Sequence, residues 1–172
     1  MRVTIRPPVL RDWPVFQAAV RRSRALHHPW VAPPDTRKKF EAYVKHTTSD
    51  SHRGFLVGLR RSGEIIGVIN LGNIIRGLLQ GAYIGYYAFA PHTGKGLMRE
   101  GMLLVLKHAF EKLKLHRLEA NIQPDNHASI ERVRSCGFVR EGFSRRYLKV
   151  GGRWRDHERW AILTDDLPRA FV

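Results

Sequence analysis

Residues 82–113 read AYIGYYAFAPHTGKGLMREGMLLVLKHAFEKL, and the fold turns on this stretch. Ala82 to Phe89 is a strand-like run of aromatic and small apolar residues. From Arg99 to Leu113, the residues Met102, Leu103, Leu106, Ala109, Phe110 and Leu113 recur at three and four, which predicts a helix with one apolar face. Between them lies a glycine-rich connection. Such backbone at a helix entry turns several free N–H groups toward a phosphate, and the helix dipole favours the negative charge. The spacing fits neither common nucleotide loop. No Gly-x-x-x-x-Gly-Lys-Ser/Thr occurs, and no Gly-x-Gly-x-x-Gly opens a helix, so ATP and NAD are poor candidates.

Toward the N-terminus, Phe55 to Arg60 and Glu64 to Leu71 are rich in Val, Ile, Leu and Phe and flank Arg61, Ser62 and Gly63, which predicts a hairpin. Val3 and Ile5 alternate with polar residues before Pro7 and Pro8, as in a short edge strand. Asp12 is placed to cap a helix carrying Trp13, Phe16 and Val20, with Pro14 in its first turn. His27 to Pro34 reads as an aromatic, proline-rich loop, and Asp35 or Thr36 can cap a second helix through Phe40, Tyr43 and Val44. Toward the C-terminus, Arg117 to Gln123 alternates as a strand. Asp125 or Asn126 can cap a shorter helix through Arg134, which Gly137 suits as a stop. Phe138 to Val150 and Trp154 to Leu163 close the chain as a hairpin around Gly151 and Gly152. This order predicts one mixed α/β domain over residues 1–172, with the glycine-rich loop at a strand's carboxyl end, where open α/β sheets hold ligands.

A chain of 172 residues suits a single core. Thirty Lys and Arg against fifteen Asp and Glu give a net charge of +15, which attracts polyanions over a Debye length of about 8 Å. Coenzyme A, RNA and a ribosomal surface would all satisfy that charge. The basic residues are scattered, and no aromatic-basic recognition motif marks a dedicated RNA-binding module. No apolar run approaches the roughly 18 residues that span a bilayer, and the first residues lack the pattern of a secretory signal, so a cytoplasmic protein without membrane contact is expected. Cys136 is the single cysteine, and neither an internal disulfide nor a metal is expected.

Several short segments occur in a fixed order: Ile84, Gly85 and Tyr86; Gly94 to Met98; His116 to Ala120; Asp125 and Asn126 to Ser129; Gly137 and Phe138; Glu141 and Gly142; and Trp154 to His157. Together they cover most of residues 55–163 and resemble the GNAT superfamily of acetyl-CoA dependent N-acetyltransferases, most closely the bacterial ribosomal-protein alanine N-acetyltransferases. The resemblance implies an α/β (α+β) fold. Its mixed, mostly antiparallel sheet of six to seven strands would be flanked by about four helices and splayed between the fourth and fifth strands. Acetyl-CoA would be the cosubstrate. The family's diphosphate loop falls on Thr93, Gly94, Lys95, Gly96, Leu97 and Met98, with Thr93 in place of a long polar residue and Met98 in place of a small one. The preceding strand implies main-chain contacts to pantetheine from Ala88, Phe89 and Ala90, with one N–H near Ala88 or Phe89 facing the thioester oxygen. Asn126 matches an Asn that meets coenzyme A across the splay.

Acetyl transfer to an amine needs a neutral nucleophile, a stabilised oxyanion and a proton for the leaving thiolate. Ser129 matches the family serine proposed as the acid, with Tyr147 as the rival. Asn121 stands where some relatives carry a glutamate and is suited to positioning a water, and Glu119, two residues earlier on the same strand face, is the candidate base through water. An α-amino group is about a tenth neutral at pH 7, against about one lysine in 2,500, so a protein N-terminus asks less of a base. The expected acceptor is an alanine or serine terminus on a ribosomal protein. A small amine such as an antibiotic or polyamine is the alternative, and a non-catalytic basic RNA or ribosome-binding module is a third. Ribosome or RNA contact through the basic surface and a homodimer stay open. His27, His28, Trp30 and Trp154 to His157 are placed to shape the acceptor pocket, and Cys136 reads as core rather than nucleophile.

Overall fold

Seven strands form one sheet in the computed structural model, which describes residues 1–167. The strands are β1 (Val3–Arg6), β2 (Arg53–Leu59), β3 (Ile65–Ile75), β4 (Gly81–Ala88), β5 (Arg117–Ile122), β6 (Val139–Val150) and β7 (Arg153–Leu163). They lie in the order β1-β2-β3-β4-β5-β7-β6, and every neighbouring pair is antiparallel except β4 and β5. That parallel pair is short, with Gly81, Ala82 and Tyr83 opposite Arg117, Leu118 and Glu119. Beyond Tyr83 the two strands part. This is the expected splay.

Among the described residues five α-helices accompany the sheet, where the resemblance implied about four: α1 (Trp13–Arg22), α2 (Arg24–His27), α3 (Arg37–His46), α4 (Leu97–Lys107) and α5 (His127–Ser135). The extra one is α2, a single turn that ends at His27, the first residue of the stretch expected to be a loop. Helix α4 begins at Leu97 rather than near Arg99, because Gly96 takes the left-handed conformation and closes the loop two residues earlier; it runs into a π-turn over His108–Lys112. No described helix is long and apolar enough to cross a membrane.

Two hydrophobic clusters lie on the two faces of the sheet, and strand alternation assigns each residue to one of them. On β4, Ala82, Ile84, Tyr86 and Ala88 join the cluster of α4 and α5, with Met102, Leu106, Leu118, Ile122 and Val133. Tyr87 and Phe89 join Phe16, Val20, Phe40 and Val68 under α1 and α3. Phe16 packs on Phe40 at 4.6 Å and meets Phe89 edge-on at 5.7 Å. At Gly67 the α4 end packs closest. A Cβ there would lie 2.4 Å from Met98 Sδ and 2.7 Å from Tyr87 O.

The caps show where local signals and tertiary demand differ. Thr36, rather than Asp35, caps α3 by accepting from Lys39 N, and Asn126, rather than Asp125, caps α5 by accepting from Ser129 N. Asp12 makes no cap bond to α1. Its carboxylate takes both Arg6 guanidinium arms at 2.7 Å and the Val9 N–H at 2.9 Å, which fastens the end of β1 to the start of α1. A bidentate charged pair outbids a single neutral cap bond for the same oxygens.

Candidate active site

The splay follows from the hydrogen-bond parity of β4. In an antiparallel ladder alternate residues turn both N–H and C=O toward the same neighbour. Phe89 N donates to Ile66 O at 2.7 Å, which fixes Phe89, Tyr87 and Gly85 on the β3 side. Ala88 and Tyr86 therefore face the other way, where β5 has already left. Of the three residues expected to contact pantetheine through N–H groups, Phe89 is committed to Ile66, and Ala90 N donates to Ser23 Oγ at 2.9 Å. Ala88 alone keeps its N–H turned into the splay.

The glycine-rich loop is built as an anion cradle. Gly94 and Gly96 sit at φ 76° and 75°, a conformation that L side chains rarely adopt, and nothing lies within 4 Å of a Cβ placed on Gly94. Among the described residues, none of the N–H groups from Thr93 to Met98 donates to an internal acceptor; the first helical bonds are those of Arg99 and Glu100 to Gly96 O. Arg2 fixes the outer side. Its Nη2 donates to Lys95 O at 3.0 Å, while its backbone N and Nε hold the Glu100 carboxylate at 2.5 and 2.6 Å. Glu100 would otherwise place an unmatched negative charge in the first turn of α4, beside the phosphate site. Although partial burial opposes ionisation, the Arg2 bonds outweigh it and hold the Glu100 carboxyl below its ordinary range. These features fit a diphosphate.

The loop opens into a cavity of about 400 Å³. One wall is Thr93, Gly94, Gly96, Leu97 and Met98, and the facing wall is Asn126, Ala128, Ser129 and Arg132 from α5. Leu26, His27, Trp30 and Val31 close the end nearest α2, with Tyr86, Tyr87 and Ala88 beneath. The structure thus brings the loop residues other than Lys95, together with Ala88, Asn126 and Ser129, to one space. Tyr86 was missed as a site residue. Its hydroxyl crosses the splay, 2.7 Å from Ser129 Oγ and 2.9 Å from Ser129 O. The carbonyl can only accept, so Tyr86 donates to it and the Ser129 hydroxyl donates to the Tyr86 oxygen. Burial pushes the Tyr86 phenol far above its ordinary value and keeps it protonated.

Glu119, Asn121 and Tyr147 stand outside that cavity. Leu118, Ala120 and Ile122 belong to the α4 side of the sheet, so Glu119 and Asn121 project from the opposite face. Glu119 is paired with Arg117 Nε at 2.8 Å, and the same arginine holds Glu141. It lines a small separate recess with Tyr83. Tyr147 reaches the same region, its hydroxyl 3.3 Å from that of Tyr83, and this bond is the main cause that raises the Tyr83 phenol to about 12. Among the described residues Asn121 Oδ1 is buried without a hydrogen-bond partner and is an unmet acceptor. The Cys136 thiol is buried and its pKa is raised by desolvation, which leaves it a poor nucleophile.

Known proteins share this fold. The profile of the Acetyltransferase (GNAT) domain matches residues 2–139. A probable N-acetyltransferase of Bacillus subtilis, YjcK, is 40% identical over 76% of this chain and 72% of its own length. The [ribosomal protein uS5]-alanine N-acetyltransferase of Escherichia coli is 38% identical over 60% of this chain; that match spans 53%, about half, of the relative's length. Among solved structures, Mycobacterium smegmatis RimJ in complex with CoA-disulfide superposes with a TM-score of 0.89 at 29% identity, over 97% of this chain and 84% of that one. The free loop amides, the splayed parallel pair and the profile match over most of the sequence converge: the chain belongs to the GNAT acetyltransferases and is an acetyl-CoA dependent N-acetyltransferase.

Proposed function

We propose that this acetyltransferase modifies the α-amino group of a protein N-terminus, an alanine or serine terminus of a ribosomal protein being the favoured class. The observation that carries the choice is that the acceptor-side carboxylates are already paired. Glu119 and Glu141 both pair with Arg117, which leaves neither free there for a polycation. A polyamine or aminoglycoside brings several positive charges, and desolvating them without counter-charge is costly. A peptide terminus brings one amine that is partly neutral at pH 7. The Escherichia coli relative is named for the alanine of ribosomal protein uS5, which supports the same class. The exposed arginines of the β6–β7 hairpin, Arg145, Arg146, Arg153 and Arg155, suit contact with ribosomal RNA.

The chemistry divides between the two sides of the splay. Loop amides from Thr93 to Met98 hold the diphosphate, and Ala88 N–H meets the charge that develops on the thioester oxygen. Ser129 protonates the leaving thiolate once its hydrogen turns from the Tyr86 oxygen to the sulfur, and the Tyr86 hydroxyl then turns from Ser129 O to donate to Ser129 Oγ; Tyr147, committed to Tyr83 on the far side, is the weaker candidate. On the acceptor side Asn121 Oδ1 holds a water through which Glu119 receives the ammonium proton. Direct attack in a ternary complex is the mechanism, since the buried Cys136 offers no covalent route.

An acceptor screen tests the assignment. Thiol release from acetyl-CoA is followed with Ala-starting and Ser-starting peptides, a peptide bearing only a lysine amine, spermidine and an aminoglycoside. The two N-terminal peptides should give kcat/KM at least tenfold above the rest. Preference for spermidine or the aminoglycoside would replace a protein acceptor with a small amine.

A further inference from the structure

The junction of α1 and α2 grips the end of β4 at two points that no step above uses. Ser23, 1% exposed, donates its hydroxyl to Ala19 O at 2.7 Å and accepts the Ala90 N–H at 2.9 Å. One helical turn later His27, 4% exposed, sets Nε2 2.8 Å from Ala88 O. Ser23 O accepts the His27 N–H at 3.0 Å, so both side chains ride on one turn and face the same strand. Because a carbonyl only accepts, Nε2 carries the hydrogen. Tyr87 and Phe89 meet the imidazole edge-on at 5.3 and 5.8 Å, and burial there holds its pKa below the ordinary value, which favours the neutral ring. Nδ1 is left without a partner among the described residues.

The two bonds flank the Phe89 bond to Ile66, so three successive residues are fixed as the strand leaves the sheet and turns toward the phosphate loop. Beyond Tyr83 no β5 neighbour holds this edge of β4. The helical junction meets Ala88 O, as a paired strand would have done, and leaves the neighbouring Ala88 N–H open to a substrate.

We infer that Ser23 and His27 are positioning residues for acetyl transfer, a two-point clamp that holds the Ala88–Ala90 segment so that the Ala88 N–H stays aimed at the thioester. The role rests on acetyl-CoA as donor and is separate from the identity of the acceptor.

The clamp should act on the pantetheine and thioester end of the cosubstrate and leave the diphosphate end alone. Calorimetric titration of the full chain with acetyl-CoA and with 3′-phospho-ADP, which carries the diphosphate without pantetheine, separates the two. His27→Leu and Ser23→Ala should each weaken acetyl-CoA about tenfold, the consequence of losing one buried hydrogen bond, while 3′-phospho-ADP stays within about twofold. His27→Gln, whose side-chain amide can reach the same carbonyl, should recover most of the loss. Should His27→Leu fail to fold, Ser23→Ala and His27→Gln carry the comparison. Acetyl-CoA affinity unchanged in the variants, or both probes weakening together in step with a lower Tm, overturns the clamp. Wild-type protein that binds neither probe overturns the donor assignment and the clamp with it, and that failure is visible before any variant is made.

Discussion

Tyr86 on β4 and Ser129 on α5 are hydrogen-bonded across the gap where the sheet divides, hydroxyl to hydroxyl at 2.7 Å, although 43 residues separate them in sequence. The pair places a proton donor on the wall of the coenzyme cavity and a protonated phenol behind it. Ser129→Ala should lower kcat by about 10²-fold, within the range for loss of a general acid, with KM for acetyl-CoA changed less than about threefold. Tyr86→Phe keeps the ring and removes the support, and should cost about tenfold. Steady-state thiol release with an Ala-starting peptide measures both, and an undiminished kcat in Ser129→Ala removes the serine from the mechanism.

Arg2 neutralises Glu100 at the rim of the phosphate loop and ties down Lys95 O. Arg2→Ala should therefore raise KM for acetyl-CoA about three- to tenfold with kcat nearly unchanged, because a bare carboxylate would oppose the incoming diphosphate. Glu100→Gln in the same chain should restore much of the loss. Kinetics at two salt concentrations check the cause, since the penalty should shrink as ionic strength rises.

Gly67 lies where α4 and β4 come closest to β3. Gly67→Ala should lower the free energy of unfolding by about 1–3 kcal/mol, the usual penalty for overpacking, since Tyr87 O at 2.7 Å is backbone and cannot step aside. Urea unfolding followed by tryptophan fluorescence gives the number, and a stability equal to wild type would show that the strand gives way.

Asp12 pairs with Arg6, and although burial pushes its carboxyl the other way, the Arg6 and Val9 bonds together hold the pKa below the ordinary value. A group depressed in the folded state contributes stability above its unfolded pKa, near 3.9, and loses it as pH falls through the folded value. Asp12→Asn should thus be clearly destabilised at pH 7, and its deficit should shrink only as pH falls below the unfolded pKa and through the depressed folded value. Thermal unfolding of the two proteins across that range tests the sign.

Cys136 should be silent in the reaction. Native protein incubated with iodoacetamide should remain unmodified at Cys136 by mass spectrometry, and Cys136→Ala should retain kcat within about twofold. An acetylated thiol trapped on mixing with acetyl-CoA alone would reverse the direct-transfer mechanism.

Much of this was legible in the residues because its signals are local. The glycines at 94 and 96, the apolar spacing of Met102, Leu106 and Phe110, and the Gly151–Gly152 turn each report on a few neighbouring positions, and the fold follows from their order. What escaped depends on partners far along the chain. Asp12 carries every mark of a helix cap until Arg6 claims it. His27 falls in a proline-rich stretch and looks like loop, yet it ends a turn of helix and is buried there against Ala88, a partner 61 residues away. Phe89 and Ala90 could not be told from Ala88 by sequence, since the choice lies in which neighbour each peptide faces, and that is fixed by the pairing of β3 with β4.

That pairing also limits how the enzyme can change over evolutionary time. Adding or deleting one residue within β4 would turn Tyr86 away from Ser129 and present a different peptide group to the thioester in the same stroke. Drift in length must enter elsewhere, and the exposed tip between β3 and β4, around Gly77 and Leu78, is where the fold leaves room for it.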